Sequence, residues 1–232
     1  MKKFMMIAAM MVAAVTANAQ FEPGTFSIQP KAGFSVTWLS NMEDLSIDIP
    51  ALGTSLDLEK SPIVGALLGV EAEYQLANKF SLAAGVNYSL QGSGWKDYEI
   101  KIAGETSKIE DSKIELGYVT IPVTANYYIF KGFAVKAGVQ FGFMTNASFK
   151  ATSKEKSGNS EVKTEYDEKW KDKFDKFDIS IPMGVSYQFK APIVLDLRYN
   201  LGLTKVNKES ESGHGDLKNN VVQLTVGYKF AL

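Results

Sequence analysis

Phe133-Ala134-Val135-Lys136-Ala137-Gly138-Val139-Gln140-Phe141-Gly142-Phe143-Met144 alternates between two kinds of side chain. Phe133, Val135, Ala137, Val139, Phe141 and Phe143 share one parity. Ala134, Lys136, Gly138, Gln140, Gly142 and Met144 share the other. A strand sends successive side chains to opposite faces, so this segment has one apolar face and one small or polar face. The apolar face is long enough to cross a bilayer as a tilted strand.

The same split recurs on both sides of this segment. The preceding strands start near Phe26, Pro62, Phe80 and Tyr118, and the following ones near Phe177, Ile193 and Val222. Eight strands result. Short turns, Ala77-Asn78-Lys79, Phe130-Lys131-Gly132 and Lys190-Ala191-Pro192, follow the second, fourth and sixth. Long polar segments, about 40–61, 92–115, 150–176 and 205–219, follow the first, third, fifth and seventh. This long–short rhythm predicts an all-β fold: an eight-stranded antiparallel up-and-down transmembrane β-barrel. Its turns would be periplasmic, its loops extracellular and both termini periplasmic.

Residues 1–19 stand outside that pattern. Lys2 and Lys3 precede an apolar stretch from Phe4 to Val15, and Ala17-Asn18-Ala19 supplies a small-x-small cleavage site. This reads as a secretory signal peptide, with residues 20–232 as the barrel domain. Its apolar stretch is short for a membrane-spanning helix. Cleavage removes two of the 25 basic residues and none of the 26 acidic ones. The mature chain is mildly acidic, and nothing in its charge suggests nucleic acid. Cysteine is absent, which excludes disulfides, thiol catalysis and thiolate metal sites. A mean hydropathy of −0.08 does not argue against a barrel, because barrel strands are only half apolar.

Gly33, Gly65, Gly69, Gly85, Gly138, Gly142, Gly184, Gly202 and Gly227 all fall on the polar parity. Eight strands enclose a lumen just wide enough to be filled by side chains, and small residues there make room for large ones. Bulges or weak strand positions are the alternative reading for one or two of these glycines.

The polar parity also carries Lys31, Lys136, Arg198 and Lys229 against Glu71, Glu73, Asp178 and Asp196. A balanced ion-pair network filling the lumen is the expectation, since buried charges are normally paired. Arg198, the one arginine, suits bidentate pairing with carboxylates. An ion path or gate is the competing reading. On the apolar parity, aromatic residues near both strand ends resemble two interfacial girdles.

Two motifs carry a family resemblance. The C-terminal run Thr225-Val226-Gly227-Tyr228-Lys229-Phe230-Ala231-Leu232 resembles the signal read by barrel-assembly machinery: polar-x-Gly-x-x-aromatic-x-hydrophobic. Thr225, Gly227, Phe230 and Leu232 occupy its specified positions, although an aromatic residue is commoner at the end than Leu232. The run Tyr118-Val119-Thr120-Ile121-Pro122-Val123-Thr124-Ala125-Asn126-Tyr127-Tyr128-Ile129-Phe130 resembles the core motif of PorT-like outer-membrane proteins, small barrels of the OmpA/OmpX type. That resemblance implies a cell-envelope protein, with some members implied in secretion. It brings no catalytic, cofactor-binding or metal residues.

The expected function is therefore non-catalytic: envelope integrity, or an accessory role in a secretion or assembly complex. A surface adhesin working through the outer loops is the alternative, and a narrow transport barrel a third. Expected partners are outer-membrane lipid and lipopolysaccharide, the barrel-assembly machinery and an envelope or secretion protein. No cofactor is expected. His214, the one histidine, sits between glycines without a catalytic arrangement. In 150–176, Tyr166, Trp170 and Phe174 recur at a helical spacing. Two readings fit: a short helix over the barrel mouth, or the top of the sixth strand. Segment 40–61 alternates Leu45, Ile47, Ile49, Leu52, Leu56 and Leu58 with polar residues, as a projecting hairpin would.

Overall fold

The computed structural model describes residues 22–42, 45–49, 54–102, 105–157, 160–208 and 216–232. The expected signal peptide, and His214, lie outside them. Among the described residues there are thirteen strands: β1 (Phe26–Ser40), β2 (Leu45–Ile49), β3 (Thr54–Leu58), β4 (Lys60–Ala77), β5 (Phe80–Trp95), β6 (Tyr98–Ile102), β7 (Glu105–Phe130), β8 (Phe133–Ser157), β9 (Ser160–Lys169), β10 (Phe177–Gln188), β11 (Ile193–Gly202), β12 (Lys218–Tyr228) and β13 (Phe230–Ala231).

Eight of them close on themselves. The order β1–β4–β5–β7–β8–β10–β11–β12 returns to β1, and every pairing is antiparallel. β13 adds Ser27↔Ala231 and Ile28↔Phe230 beside the β1–β12 seam. A closed ring leaves no unpaired edge along its wall. No helix among the described residues is long and apolar enough to cross a membrane, which says nothing against crossing by strands.

Burial follows parity. In β1, Ser27, Gln29, Lys31, Ser35 and Thr37 are buried inside the ring, while Phe34 and Val36 face out. Phe34, Val64, Leu68, Val86, Phe143, Leu197 and Val226 belong to a belt of exposed apolar side chains around the wall. Water would penalise that belt and lipid would not.

The inward glycines make curvature possible. A Cβ on Gly33 would meet the Leu224 carbonyl oxygen at 2.0 Å, and one on Gly138 the Val123 carbonyl oxygen at 1.9 Å. Only glycine permits backbones this close. At Gly142 the obstacle is a side chain: a Cβ would lie 2.0 Å from Asp178 Oδ1.

Two expected loops are strands instead. The fourth ring strand extends to 26 residues and the fifth to 25, so β7 and β8 rise together well past the wall. There they join β6 and β9 in a tall sheet ordered β6–β7–β8–β9. The section of β8 from residue 147 to 157 reaches roughly 30 Å at about 3.3 Å per residue. Neither reading of 150–176 fits the described residues: they form no α-helix, and the sixth ring strand begins only at Phe177. Tyr166 lies in β9, Trp170 follows that strand, and a 3₁₀ turn (Lys171–Lys173) precedes Phe174. A spacing of four residues is also two strand periods, so the periodicity was ambiguous. In 40–61, β2 and β3 form a separate hairpin with Leu45↔Leu58 and Ile47↔Leu56 in register.

Candidate functional site

The lumen holds two layers. The lower is ionic. Lys31 Nζ lies 2.7 Å from Glu71 Oε2, Lys136 Nζ 3.2 Å from Glu71 Oε1 and 2.8 Å from Asp196 Oδ2. Arg198 donates from Nη2 to Glu71 Oε2 and to Asp196 Oδ2, each at 3.1 Å, and from Nε to Asp196 Oδ1 at 3.3 Å. Three cations thus surround two carboxylates, all buried. The strands place them: β1 and β4 bring Lys31 and Glu71 inward from adjoining positions, while β8 and β11 bring the others from across the ring.

A second cluster sits beside it. Lys229 Nζ lies 2.8 Å from Glu73 Oε2. Glu73 Oε1 accepts from the Tyr128 hydroxyl at 2.5 Å and from Ser81 Oγ at 2.7 Å. Tyr128 was not among the expected site residues. It occupies the inward parity, and that was its available signal. Asp178 stands apart from both clusters, laid over Gly142, and forms no ion pair among the described residues.

The upper layer is apolar and lies outside the residues expected for the site. Leu39, Met42, Ile114, Leu116, Tyr118, Met144, Ala147, Phe174 and Val206 are buried together, with Trp95, Phe149, Trp170 and Leu217 against them. Phe149 stacks on Trp170 at 4.8 Å, and Trp95 meets Phe149 edge-on at 6.3 Å. Main-chain bonds tie connecting segments across the mouth: Asp175 N to Val206 O at 2.8 Å, Val206 N to Leu217 O at 2.8 Å and Lys208 N to Lys173 O at 3.1 Å. The signal was a change in composition: the inward parity turns apolar at Leu39, Leu116 and Met144 as the strands leave the ring.

Above the cap, the tall sheet has two different faces. Register places Lys108, Lys154 and Lys163 in one row, and Glu110, Thr152 and Glu165 in the next. Glu110 accepts from Lys108 and from Lys154, the latter at 2.5 Å. Glu115 accepts from Lys150 at 2.9 Å. The opposite face carries Ile109 with Tyr98 in register, and Val162 and Tyr166.

The hydrogen bond from Lys108, with that from Lys154, holds the Glu110 carboxyl at about 2. A depressed carboxylate value stabilises the folded sheet above the ordinary carboxylate range, and the contribution is lost as pH falls toward the folded value. Amide-exchange protection around Glu110 and Thr152 should therefore hold down to about pH 4.5 and fall between there and about pH 2, reading the ordinary and shifted values against each other. The ring amides should stay protected over the same range.

At the C-terminus, Thr225 and Gly227 face inward on β12, Phe230 pairs with Ile28, and Leu232 is exposed while its N–H donates to the Phe26 carbonyl at 2.8 Å. No cluster of three or more His, Cys, Asp or Glu residues able to hold a metal occurs among the described residues.

A closed antiparallel ring with an apolar outer belt defines a membrane β-barrel. The chain matches the family described as outer membrane protein beta-barrel domain over residues 18–208, and it belongs to that family. It is an integral outer-membrane protein. No curated protein matches the chain. Among solved structures, Ail, the attachment invasion locus protein of Yersinia pestis, in complex with the heparin analogue sucrose octasulfate, is 14% identical. That match covers 90% of this chain and 99% of Ail, with a TM-score of 0.41. OprG from Pseudomonas aeruginosa is 14% identical over 93% of this chain and 99% of its own, with a TM-score of 0.43. Neisserial surface protein A is 15% identical over 88% of this chain and 96% of its own, with a TM-score of 0.40.

Proposed function

We propose that this protein is a closed outer-membrane barrel that works non-catalytically, through protein contacts made by the tall end of the molecule. The carrying observation is the contrast between its interior and its extension. The lumen is filled by ion pairs below and apolar side chains above. The chain instead devotes β6, β9 and the upper parts of β7 and β8 to a sheet standing clear of the ring. A conducting barrel needs an open path, and a recognition protein needs projecting surface. In this reading residues 1–19 are a cleaved signal peptide and 20–232 the barrel. The short turns and both termini face the periplasm, and the tall sheet faces outward, among lipopolysaccharide headgroups. The seven paired lumen charges hold the barrel shut rather than move ions. Thr225, Gly227, Phe230 and Leu232 present the assembly signal.

A second reading makes the protein an accessory of an envelope or secretion complex. It is favoured by the likeness of Tyr118–Phe130 to the PorT-like motif. The two readings separate by side. Photo-crosslinkers at Asp97 or Asp167 on the tall end, and at Asn78 or Lys131 in the short turns, should be compared in living cells. Position-specific adducts from the tall end alone support outward contact. Adducts from the turns alone would transfer the function to the periplasmic side.

A further inference from the structure

The tall sheet ends on β9, Ser160–Lys169, which pairs with β8 on one side and with no other strand among the described residues. An unpaired strand edge is a template for another strand, and charged side chains usually blunt it. β9 does carry charges, but in a self-complementary order. In Val162-Lys163-Thr164-Glu165-Tyr166, opposite charges flank Thr164 and apolar residues flank the charges.

We propose that β9 is a self-recognition edge whose occupant is a second copy of this chain, paired antiparallel about Thr164. In that register Lys163 faces Glu165 of the copy twice, and Val162 faces Tyr166 twice. Within one chain Lys163 Nζ already lies 2.5 Å from Glu165 Oε1, with the two side chains 52% and 70% exposed. Pairing turns that bond into a square of alternating charges on one face of the sheet. On the other face it covers Val162 and Tyr166, now 59% and 51% exposed. Opposite-charge and aromatic–β-branched cross-strand pairs are the favourable kinds. Registers centred on Lys163 or Glu165 place like charges on the axis. One centred on Tyr166 sets Glu165 against Asp167 and Lys163 against Lys169. In the favoured register Glu161 falls opposite Asp167, and each is also in register with a lysine of β8, Lys156 and Lys150.

The symmetry sets the arrangement. The two-fold axis of an antiparallel pair is perpendicular to the sheet, so the contact is isologous and the paired strands point opposite ways. β8 runs without a break from the ring into the tall sheet, so the two barrels lie end to end, as in two facing membranes. This rests on the outward orientation proposed above and makes the partner the same protein on an apposed surface.

The test uses full-length protein in phosphatidylcholine vesicles, each variant checked for a folded barrel by its mobility on unheated gels. Wild-type vesicles should cluster, read by light scattering. Lys163→Glu vesicles and Glu165→Lys vesicles should each stay dispersed, because each sets like charges against itself. Mixed together, those two populations should cluster, because every facing pair is again of opposite sign. The chain has no cysteine, so Thr164→Cys adds one thiol on the axis and, with an added oxidant such as copper phenanthroline in air to accept the two electrons, should give a disulfide-linked dimer between vesicles. Folded wild-type vesicles that stay dispersed would overturn the proposal, as would single-charge variants that cluster like wild type. Dispersed vesicles with tall-end adducts still forming in cells would remove self-recognition alone and leave outward contact standing.

Discussion

Glu71→Gln is expected to lower barrel stability by about 3–5 kcal/mol, the cost of breaking a buried ion pair from one side. Glu71 accepts from Lys31, Lys136 and Arg198, all buried. Removing its charge leaves three cations around Asp196 alone. Urea unfolding of the refolded protein, followed by tryptophan fluorescence, should show a large fall in midpoint with little change in slope. The double change Lys31→Gln with Glu71→Gln should cost less than the sum of the singles, because it removes one charge of each sign. Additive losses would mean that the 2.7 Å contact contributes no coupling.

Phe174→Ala should have a comparable effect by a different cause. Phe174 is 4% exposed in the apolar cap, and deleting a buried phenylalanine side chain costs about 3–5 kcal/mol. Because Phe174 adjoins the bond from Asp175 to Val206, the loss should appear first at the mouth. Limited proteolysis should cut the variant within 205–217 while the ring still runs as a folded species. Phe34→Ala provides the contrast: Phe34 is 64% exposed on the outer wall, and its truncation leaves no interior cavity. Equal resistance of the Phe174 and Phe34 variants would show that the cap does not hold the mouth.

The ring was legible because one face of every strand is continuously apolar, so parity alone locates the wall. The parity signal fails where the wall ends. Register shifts between Glu110 and Lys113 and between Gly117 and Tyr118 reset the alternation, and Asp111 adopts a φ of 55° at the first of them. Each shift moves the following residues to the other face. With no lipid on either side, both faces above the ring became polar enough to resemble loop. The lumen charges were legible as a set. Their partners were not, because Glu71 on β4 meets Arg198 on β11 only once the ring closes. The cap was visible only as a run of larger apolar residues on the inward parity. Its meaning depends on Phe174 and Val206, which come from connections rather than strands.

Closure of the lumen is the central claim, and single-channel recording in a planar bilayer tests it most directly. Refolded wild-type protein at neutral pH should leave the bilayer silent, because the ionic layer and the apolar cap both obstruct the axis. Uniform conductance steps that scale with protein insertion would contradict the account. They would restore an ion path lined by Glu71, Lys136 and Arg198.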